Sequence, residues 1–253
     1  MEQNSYTVGQ ENFNLPHDVV QLPTGGIFYK SKKKSVKVGY LTAMDENLLI
    51  TSASQGNSNN LILSLLRNKM YEHDLRPEEL LEGDIEALLI FLRNTSFGPE
   101  YKVSLRDPKT DKLFESSILL DELNIRQIVN KPDENGLFTT KLPKTGSTVK
   151  LKPLSYGEIL EIDKMVEQYP VGRVAPKIIW KLEKQIQEVD GVSDRAQISQ
   201  FISSLPILDS KHIRNFMREN QISLDLKRQV IAPSGEMVSF EITFGAEFFR
   251  PFF

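Results

Sequence analysis

Apolar residues follow two periodicities along the chain. Spacings of three and four residues after candidate N-caps predict amphipathic helices, and alternating apolar and polar residues predict antiparallel hairpins. The predicted helices begin near Thr42, Leu61, Pro77, Asp84, Ser155, Pro176, Ser193 and Asp209, and the Pro176 helix is predicted to run to Gly191. The predicted hairpins are Tyr29 to Leu41, with its tip at Lys30 to Lys34, Tyr101 to Ile118, and Leu224 to Phe244. Helices mixed with antiparallel hairpins predict an α+β fold.

The order of these elements is repeated, and short sequence matches accompany the repeat. The stretch Leu22-Pro23-Thr24-Gly25-Gly26 matches Leu142-Pro143-Lys144-Thr145-Gly146, and Asp84 to Arg93 aligns without gaps on Asp209 to Arg218. A period of roughly 120 residues is that of a whole domain. We therefore expect two tandem, similar domains, each combining helices with antiparallel β-hairpins. Chance similarity between two α+β segments is the alternative.

The repeat gives the expected domain boundaries. Residues 1–21 are predicted to form a polar N-terminal arm, residues 22–130 the first α+β repeat, and residues 131–253 the second repeat with an aromatic C-terminal tail. The segment from Lys131 to Thr140, with Pro132, Asn135 and Gly136, has the composition of a boundary between them.

Composition narrows the classes of partner. The chain of 253 residues carries a net charge of −3 and has a pI of about 5.8, so its overall field does not favour nucleic acid or an anionic membrane. No window approaches the roughly 20 apolar residues of a membrane span, and the first fourteen residues do not resemble a secretory signal. Cysteine is absent. These features predict a protein that matures in a reducing cytoplasm and contacts neither membrane nor nucleic acid.

No pattern of residues predicts catalysis or a cofactor. His17, His73 and His212 are far apart, and the chain has neither a phosphate-binding glycine motif nor a nucleophile elbow. Acidic residues do gather at Glu78, Glu79, Glu82, Asp84 and Glu86, where they could hold a metal, but acids also collect at helix N-termini because the helix dipole favours them. We therefore predict no enzyme activity, no cofactor and no metal.

The C-terminal stretch predicts a partner. Five of the fourteen phenylalanines fall within the last ten residues, and aromatic side chains anchor protein interfaces because they bury large apolar areas. The alternative is that the rings fold back and seal the core of their own domain. The predicted partner-binding residues are Phe244, Phe248, Phe249, Arg250, Phe252 and Phe253.

Several of these motifs together resemble a known family. They are the Leu-Pro-x-x-Gly start, the stretch Leu41 to Glu46, the helix from Gly83-Asp84 to Arg93, the Phe97-Gly98 pair with the hairpin after it, and the ending Phe248 to Pro251. In this order they resemble the bacteriophage T4-type baseplate proteins, whose members are hub or hub-assembly proteins of contractile tails. The resemblance covers about residues 20 to 125 and extends to the second half through the repeat.

The resemblance implies a non-enzymatic component of the baseplate hub. Such a protein is assembled in the host cytoplasm, resides in the virion tail and contacts other baseplate and hub proteins. Because contractile tails join sixfold tubes to threefold spikes, a chain with two similar halves is expected to form a homotrimer around the tail axis. Two alternatives remain: a transient hub-assembly chaperone absent from the virion, and a metal-dependent hydrolase with an unrecognised site.

Overall fold

The computed structural model describes residues 16–55 and 58–249, with side chains throughout these ranges except over 52–60. The elements of the first half are β1 (His17–Gln21), β2 (Ser35–Gly39), α1 (Ala43–Gln55), α2 (Ser58–Lys69), a 3-10 turn (Pro77–Glu79), α3 (Glu82–Phe97), β3 (Glu100–Arg106), β4 (Leu113–Leu119), a second 3-10 turn (Leu120–Glu122) and β5 (Ile125–Arg126).

The second half continues in a similar order. Its elements are β6 (Phe138–Lys141), β7 (Thr148–Leu151), α4 (Tyr156–Glu167), α5 (Lys177–Gln185), β8 (Ile186–Val189), α6 (Arg195–Ser203), α7 (Ile207–Glu219), β9 (Ser223–Leu224), β10 (Lys227–Ile231), β11 (Met237–Glu241) and a final 3-10 turn (Ala246–Phe249). Helices combined with small antiparallel sheets confirm the predicted α+β class.

All strand pairing in the described chain is antiparallel and confined to small sheets. Four sheets have two strands each, β1–β2, β3–β4, β5–β9 and β10–β11, and one has three, in the order β6–β7–β8. The β5–β9 pair joins the two halves, because its strands come from opposite sides of the chain's midpoint. The sheets hold hairpins together, and the helices supply most of the core.

The first predicted hairpin is wrong in its pairing. Val36 and Val38 lie in a strand as expected, but β2 pairs with β1, with His17 opposite Gly39 and Gln21 opposite Ser35. The chain between them forms a long loop, so the lysine-rich stretch is part of a loop and not the tip of a tight hairpin.

The helix predicted from Pro176 is also wrong in its length. Helix α5 ends at Gln185, and Ile186 to Val189 form β8, which pairs with β7. Ile186 and Val189 are buried in both readings. Helical spacing over so short a stretch does not exclude a strand, because the edge of β7 offers backbone hydrogen bonds that a helix would leave unused.

Two apolar cores lie side by side. The second core is built from second-half residues, among them Phe138, Ile186 and Ile213. The first core is built mostly from first-half residues but also takes in Tyr156, Ile242, Ala246, Phe248 and Phe249 from the second half. The C-terminal stretch of the chain therefore completes the first core.

The halves approach each other closely at Gly83, in the first turn of α3. A Cβ atom at this position would overlap the backbone of Ile222 and Ser223. Further backbone hydrogen bonds cross between the halves, from Tyr156 N to Leu80 O at 2.7 Å and from Asp225 N to Asn124 O at 2.8 Å. The absence of a side chain at Gly83 allows the segment after α7 to lie directly on α3.

Candidate functional site

The matched Leu-Pro loops and helix starts meet in space. In the first half, the loop after Leu22 reaches the third residue of α3: Thr24 N donates to Asp84 Oδ1 at 2.9 Å, and Thr24 Oγ1 donates to Asp84 Oδ2 at 2.6 Å. The Tyr29 hydroxyl also donates to Asp84 Oδ2 and accepts a hydrogen bond from Leu81 N at 2.9 Å. Asp84 thus anchors the loop to the helix.

The second half has the same contact. Asp209 is the third residue of α7, and its carboxylate accepts from Lys144 N at 2.7 Å and from Thr145 N at 2.9 Å. Lys144 follows Leu142 by two residues, as Thr24 follows Leu22. Each loop also closes back on its leucine, by a three-residue turn in the first half (Gly25 N to Leu22 O) and by a four-residue turn in the second (Gly146 N to Leu142 O).

The pKa values of the two carboxyls shift in opposite directions. Burial raises the pKa of Asp84 above its usual range, and the hydrogen bonds from Thr24 and Tyr29 offset this only in part. Burial also acts to raise the pKa of Asp209, but the hydrogen bonds from Lys144 and Thr145 outweigh it, so the pKa of that carboxyl is lowered. Asp84 is therefore more strongly desolvated than Asp209, its counterpart in the second half.

The apolar residues of the two matched helices correspond as well. Leu88 aligns with Ile213, and Leu92 aligns with Met217. The first three of these residues are fully buried, and Met217 is 7% exposed. On the same two helices, Leu89 is buried in the first core, and Phe216 is partly buried against the second.

The predicted aromatic site divides into a described part and a part outside the described residues. Phe248 and Phe249 are 1% and 2% exposed, and Phe244 is partly buried against the same first core. The Phe248 ring contacts both of the others edge to face. The predicted residues Arg250, Phe252 and Phe253 lie outside the described residues. The described rings therefore pack within the chain, but against the core of the first half and not that of their own half, as the alternative had it.

A buried arginine lies beneath these rings. The guanidinium of Arg93 sits 5.0 Å from the ring centre of Tyr101 and 5.8 Å from that of Phe248. It donates to the carbonyl oxygens of Gly98 and Glu100 at 2.7 and 3.0 Å. These contacts at the carboxyl end of α3 stabilise a buried cation without a carboxylate. The C-terminal segment thereby fixes the junction between α3 and β3.

The turns of the two matched hairpins are joined. Asp107, in the turn between β3 and β4, accepts hydrogen bonds from Ser234 N at 3.1 Å and from Ser234 Oγ at 2.8 Å. Ser234 lies in the turn between β10 and β11. The two hairpins are therefore tied together at their tips, a contact that the sequence did not predict.

The acidic residues near the start of α3 do not gather at one site. Glu78 pairs with Arg67, Glu79 accepts a hydrogen bond from Arg76 N, and Asp84 anchors the loop. Over residues 16–55 and 58–249, no group of three or more histidine, aspartate or glutamate side chains could hold a metal ion. His212 contacts Thr140 Oγ1 at 3.0 Å.

Two clefts lie between the halves. One, of about 470 Å³, is lined by Glu82, Glu86 and Glu241 together with apolar residues such as Leu160 and Phe244. Burial raises the pKa of Glu86 to about 7; the hydrogen bond from Leu224 N lowers it in part, and the nearby charges of Glu82 and Glu241 raise it further. The other cleft, of about 290 Å³, has lysine and arginine side chains on its rim.

The chain thus consists of two linked α+β cores, each with one buried aspartate that anchors a loop, and two clefts lined by charged residues lie between them. A search against protein families matches residues 27–249 to the family described as T4 bacteriophage base plate protein. The chain belongs to this family, and the match confirms the resemblance drawn from the sequence. It is accordingly a structural component of a phage baseplate, located in the virion tail among other baseplate proteins.

The remaining comparisons add no relatives. No curated protein and no solved structure matches the chain significantly. In the described part of the chain, no helix has the length and apolar character needed to cross a membrane.

Proposed function

We propose that this chain is a non-enzymatic subunit of the baseplate hub, assembled in the host cytoplasm and retained in the virion. The family match over residues 27–249 is the observation that carries the proposal, because it spans both halves and both aspartate anchors. A protein whose two linked cores are each fixed by a buried aspartate is suited to hold its shape while its neighbours bind around it.

Quantitative mass spectrometry of purified virions tests this proposal. A hub subunit is retained in a constant ratio to the tail tube protein, whether particles are purified gently or through high salt. A transient assembly chaperone is present in tail intermediates but missing from mature particles. Absence from mature virions would overturn the hub-subunit proposal and favour the chaperone.

We further propose that the two halves arose by duplication of one module, with boundaries near residues 22–130 and 131–253. The support is atomic: the backbone amide two residues after each loop leucine donates to the Oδ1 atom of the aligned aspartate. Both aspartates are third in their helices, and a two-stranded antiparallel hairpin follows each helix. Chance similarity would have to reproduce this contact twice.

The duplication suggests how the chain meets the symmetry of a tail. Three copies, each presenting two similar halves, give six similar faces around a threefold axis. We propose this homotrimer for the assembled hub, without nucleic acid in the complex. Native mass spectrometry of hub intermediates should give three copies of the chain. Six copies, or a single copy, would contradict the arrangement.

The C-terminal residues remain a proposed contact with a baseplate partner. Because Phe248 and Phe249 complete the first core, their removal is expected to unfold the chain, and only a shorter truncation isolates binding. A chain that ends after Phe249 should keep its melting temperature and fail to enter tails. If this shortened chain folds and assembles normally, Arg250, Phe252 and Phe253 do not anchor a partner.

A further inference from the structure

Helix α7 carries an exposed stripe whose counterpart on α3 is covered. Ile207, Lys211, Arg214 and Arg218 are spaced by four, three and four residues, so they share one helix face. All four are exposed, Ile207 by 85%. We call this set the cationic stripe. It presents three positive charges beside an apolar residue at the start of the helix.

The aligned positions of α3 are Glu82, Glu86, Leu89 and Arg93, and the last three are buried. They are covered by the second half: Leu224 N donates to Glu86, Gln221 contacts Glu82, and Phe248 packs beside Arg93. No described segment covers the cationic stripe in the same way. If the two helices are copies, one face has its cover within the chain and the other lacks it.

A cavity adjoins the stripe. It has a volume of about 290 Å³ and is lined by three cations, Arg214, Arg218 and Lys181, and by apolar residues such as Phe28, Met217 and Ile222. One carboxylate, Glu82, also lines it and accepts a hydrogen bond from Gln221. Within the described residues, none of its three cations forms an ion pair. The cavity can therefore accept a branched apolar side chain while the surrounding cations attract carboxylates.

A segment of the same chain has the complementary character. The connection from Leu119 to Ile125, between β4 and β5, exposes Leu119 by 43% and Ile125 by 42%. Between them, Asp121 and Glu122 are exposed and form no ion pair with any described residue. We call this set the acidic connection. Apolar residues lie on both sides of its two carboxylates. The cavity likewise combines apolar residues with cations.

The acidic connection is held in place on its own chain. Leu120 N donates to Pro99 O at 3.0 Å, and Ile125 pairs with Leu224 through β5 and β9. A segment that is already fixed loses little conformational entropy when it binds, so the entropic cost of forming an interface with it is low.

We propose that the cationic stripe and its cavity bind the acidic connection of a second copy of this chain. This inference rests on the self-association proposed above and names the two surfaces that would carry it. The surfaces differ, so the contact gives each copy one donor and one acceptor face. Opposite charges guide the two copies together, and Leu119 or Ile125 of one copy fills the cavity of the other.

Two charge-reversed variants test the proposal in the purified chain. Arg214→Glu with Arg218→Glu reverses the stripe, and Asp121→Lys with Glu122→Lys reverses the connection. In sedimentation equilibrium the wild type should self-associate, and each variant alone should weaken the association at least about tenfold. An equimolar mixture of the two should form mixed pairs, because the reversed stripe of one variant meets the reversed connection of the other. A ring of three cannot alternate the two variants throughout, so the mixture should not close into the trimer. A chain that carries all four changes should also self-associate.

Lys109→Glu with Lys112→Glu, in the exposed turn between β3 and β4, is the matched control and should associate like the wild type. All variants should melt like the wild type, since every altered residue is exposed. A monomeric wild type, or variants that associate normally, would overturn the proposed interface. So would a mixture that forms no mixed pairs, or a chain with all four changes that stays monomeric. None of these outcomes bears on the presence of the chain in virions, so the hub proposal stands or falls separately.

Discussion

Asp84 and Asp209 hold matching loops at matching helix positions, yet their surroundings differ. Asp84 accepts hydrogen bonds from a backbone amide, a threonine and a tyrosine hydroxyl, and burial raises its pKa. Asp209 accepts from two backbone amides, and these lower its pKa. A loop anchor thus tolerates a change in its hydrogen-bonding partners provided that the donors remain in reach.

The same comparison extends to the helices that carry the anchors. Helix α3 is enclosed on a face where α7 is exposed, because the segment after α7 and the C-terminal rings lie on α3. At the aligned positions, buried Leu89 corresponds to exposed Arg214. The difference shows that the first half depends on the second for its core, whereas the second half uses little of the first.

The largest effect should follow from removing a ring of the C-terminal segment. Phe248→Ala should cost roughly 3–5 kcal/mol, since it opens a cavity in the first core and removes a ring from Arg93. Chemical denaturation measures the loss, and hydrogen exchange should show reduced protection in α3 with less change in α7. Phe244→Ala, at a partly buried ring, is the control and should cost less. Equal losses in both helices would show that the cores are not distinct.

Replacing Asp84 should destabilise the chain more than replacing Asp209. Asp84→Ala should cost about 3 kcal/mol, because buried donors from Thr24 and Tyr29 lose their acceptor. Asp209→Ala should cost about 2 kcal/mol, because two backbone amides lose theirs. Thermal and urea unfolding of the two variants give the comparison directly. If Asp209→Ala is neutral while Asp84→Ala is severe, the second contact is not an anchor and the duplication loses its main support.

The free energy of unfolding should depend on pH through the carboxyl of Glu86. The second half has no equivalent carboxyl, because Lys211 occupies the aligned position. The Glu86 pKa of about 7 lies above the usual 4.5, so the folded chain holds a proton that the unfolded chain releases. The free energy of unfolding should therefore fall as the pH rises from about 4.5 to about 7. Glu86→Gln removes the ionisation, and the variant should gain about 2 kcal/mol relative to the wild type between about pH 5 and pH 8. Parallel unfolding profiles for the two proteins would contradict the assignment.

The smallest effect concerns the joined hairpin tips. Ser234→Ala removes the hydroxyl donor to Asp107 but keeps the backbone donor, so it should cost roughly 0.5–1 kcal/mol. Ser239→Ala, in the neighbouring strand β11, provides a serine control away from the tip contact. Hydrogen exchange at the β3–β4 turn should increase only in the first variant. An unchanged turn would mean that the tips are held by other contacts.

Local sequence patterns predicted much of this architecture. The helix starts near Thr42 and Ser155 follow from caps and apolar spacing, and the capping box of Ser155 with Glu158 is present in α4. The helices predicted from Asp84 and Asp209 also form, but each begins two residues earlier, so that the aspartate is its third residue and not its cap. The ungapped alignment of Asp84 with Asp209 and the matched Leu-Pro loops were read only as signs of a repeat, and the contact between them came from the structure. A signal that appears twice in the same order carries more information than either copy alone.

Contacts between distant segments were beyond the same reasoning. Strand β1 lies within a stretch that reads as a polar arm, and its pairing with β2 spans a long loop. The β8 strand continues the helical spacing of α5, and only the neighbouring edge of β7 decides its conformation. The crossing of Phe248 into the first core depends on how the two halves meet. No local pattern records that arrangement.

A reconstruction of the baseplate at a resolution that shows side chains tests the central claim, that this chain is a hub subunit built from two copies of one module. We predict three copies around the tail axis, with the loops at Asp84 and Asp209 superposing and with Arg214 and Arg218 covered by a neighbouring copy. Mature baseplates that lack the chain, or halves with different strand orders, would contradict the claim.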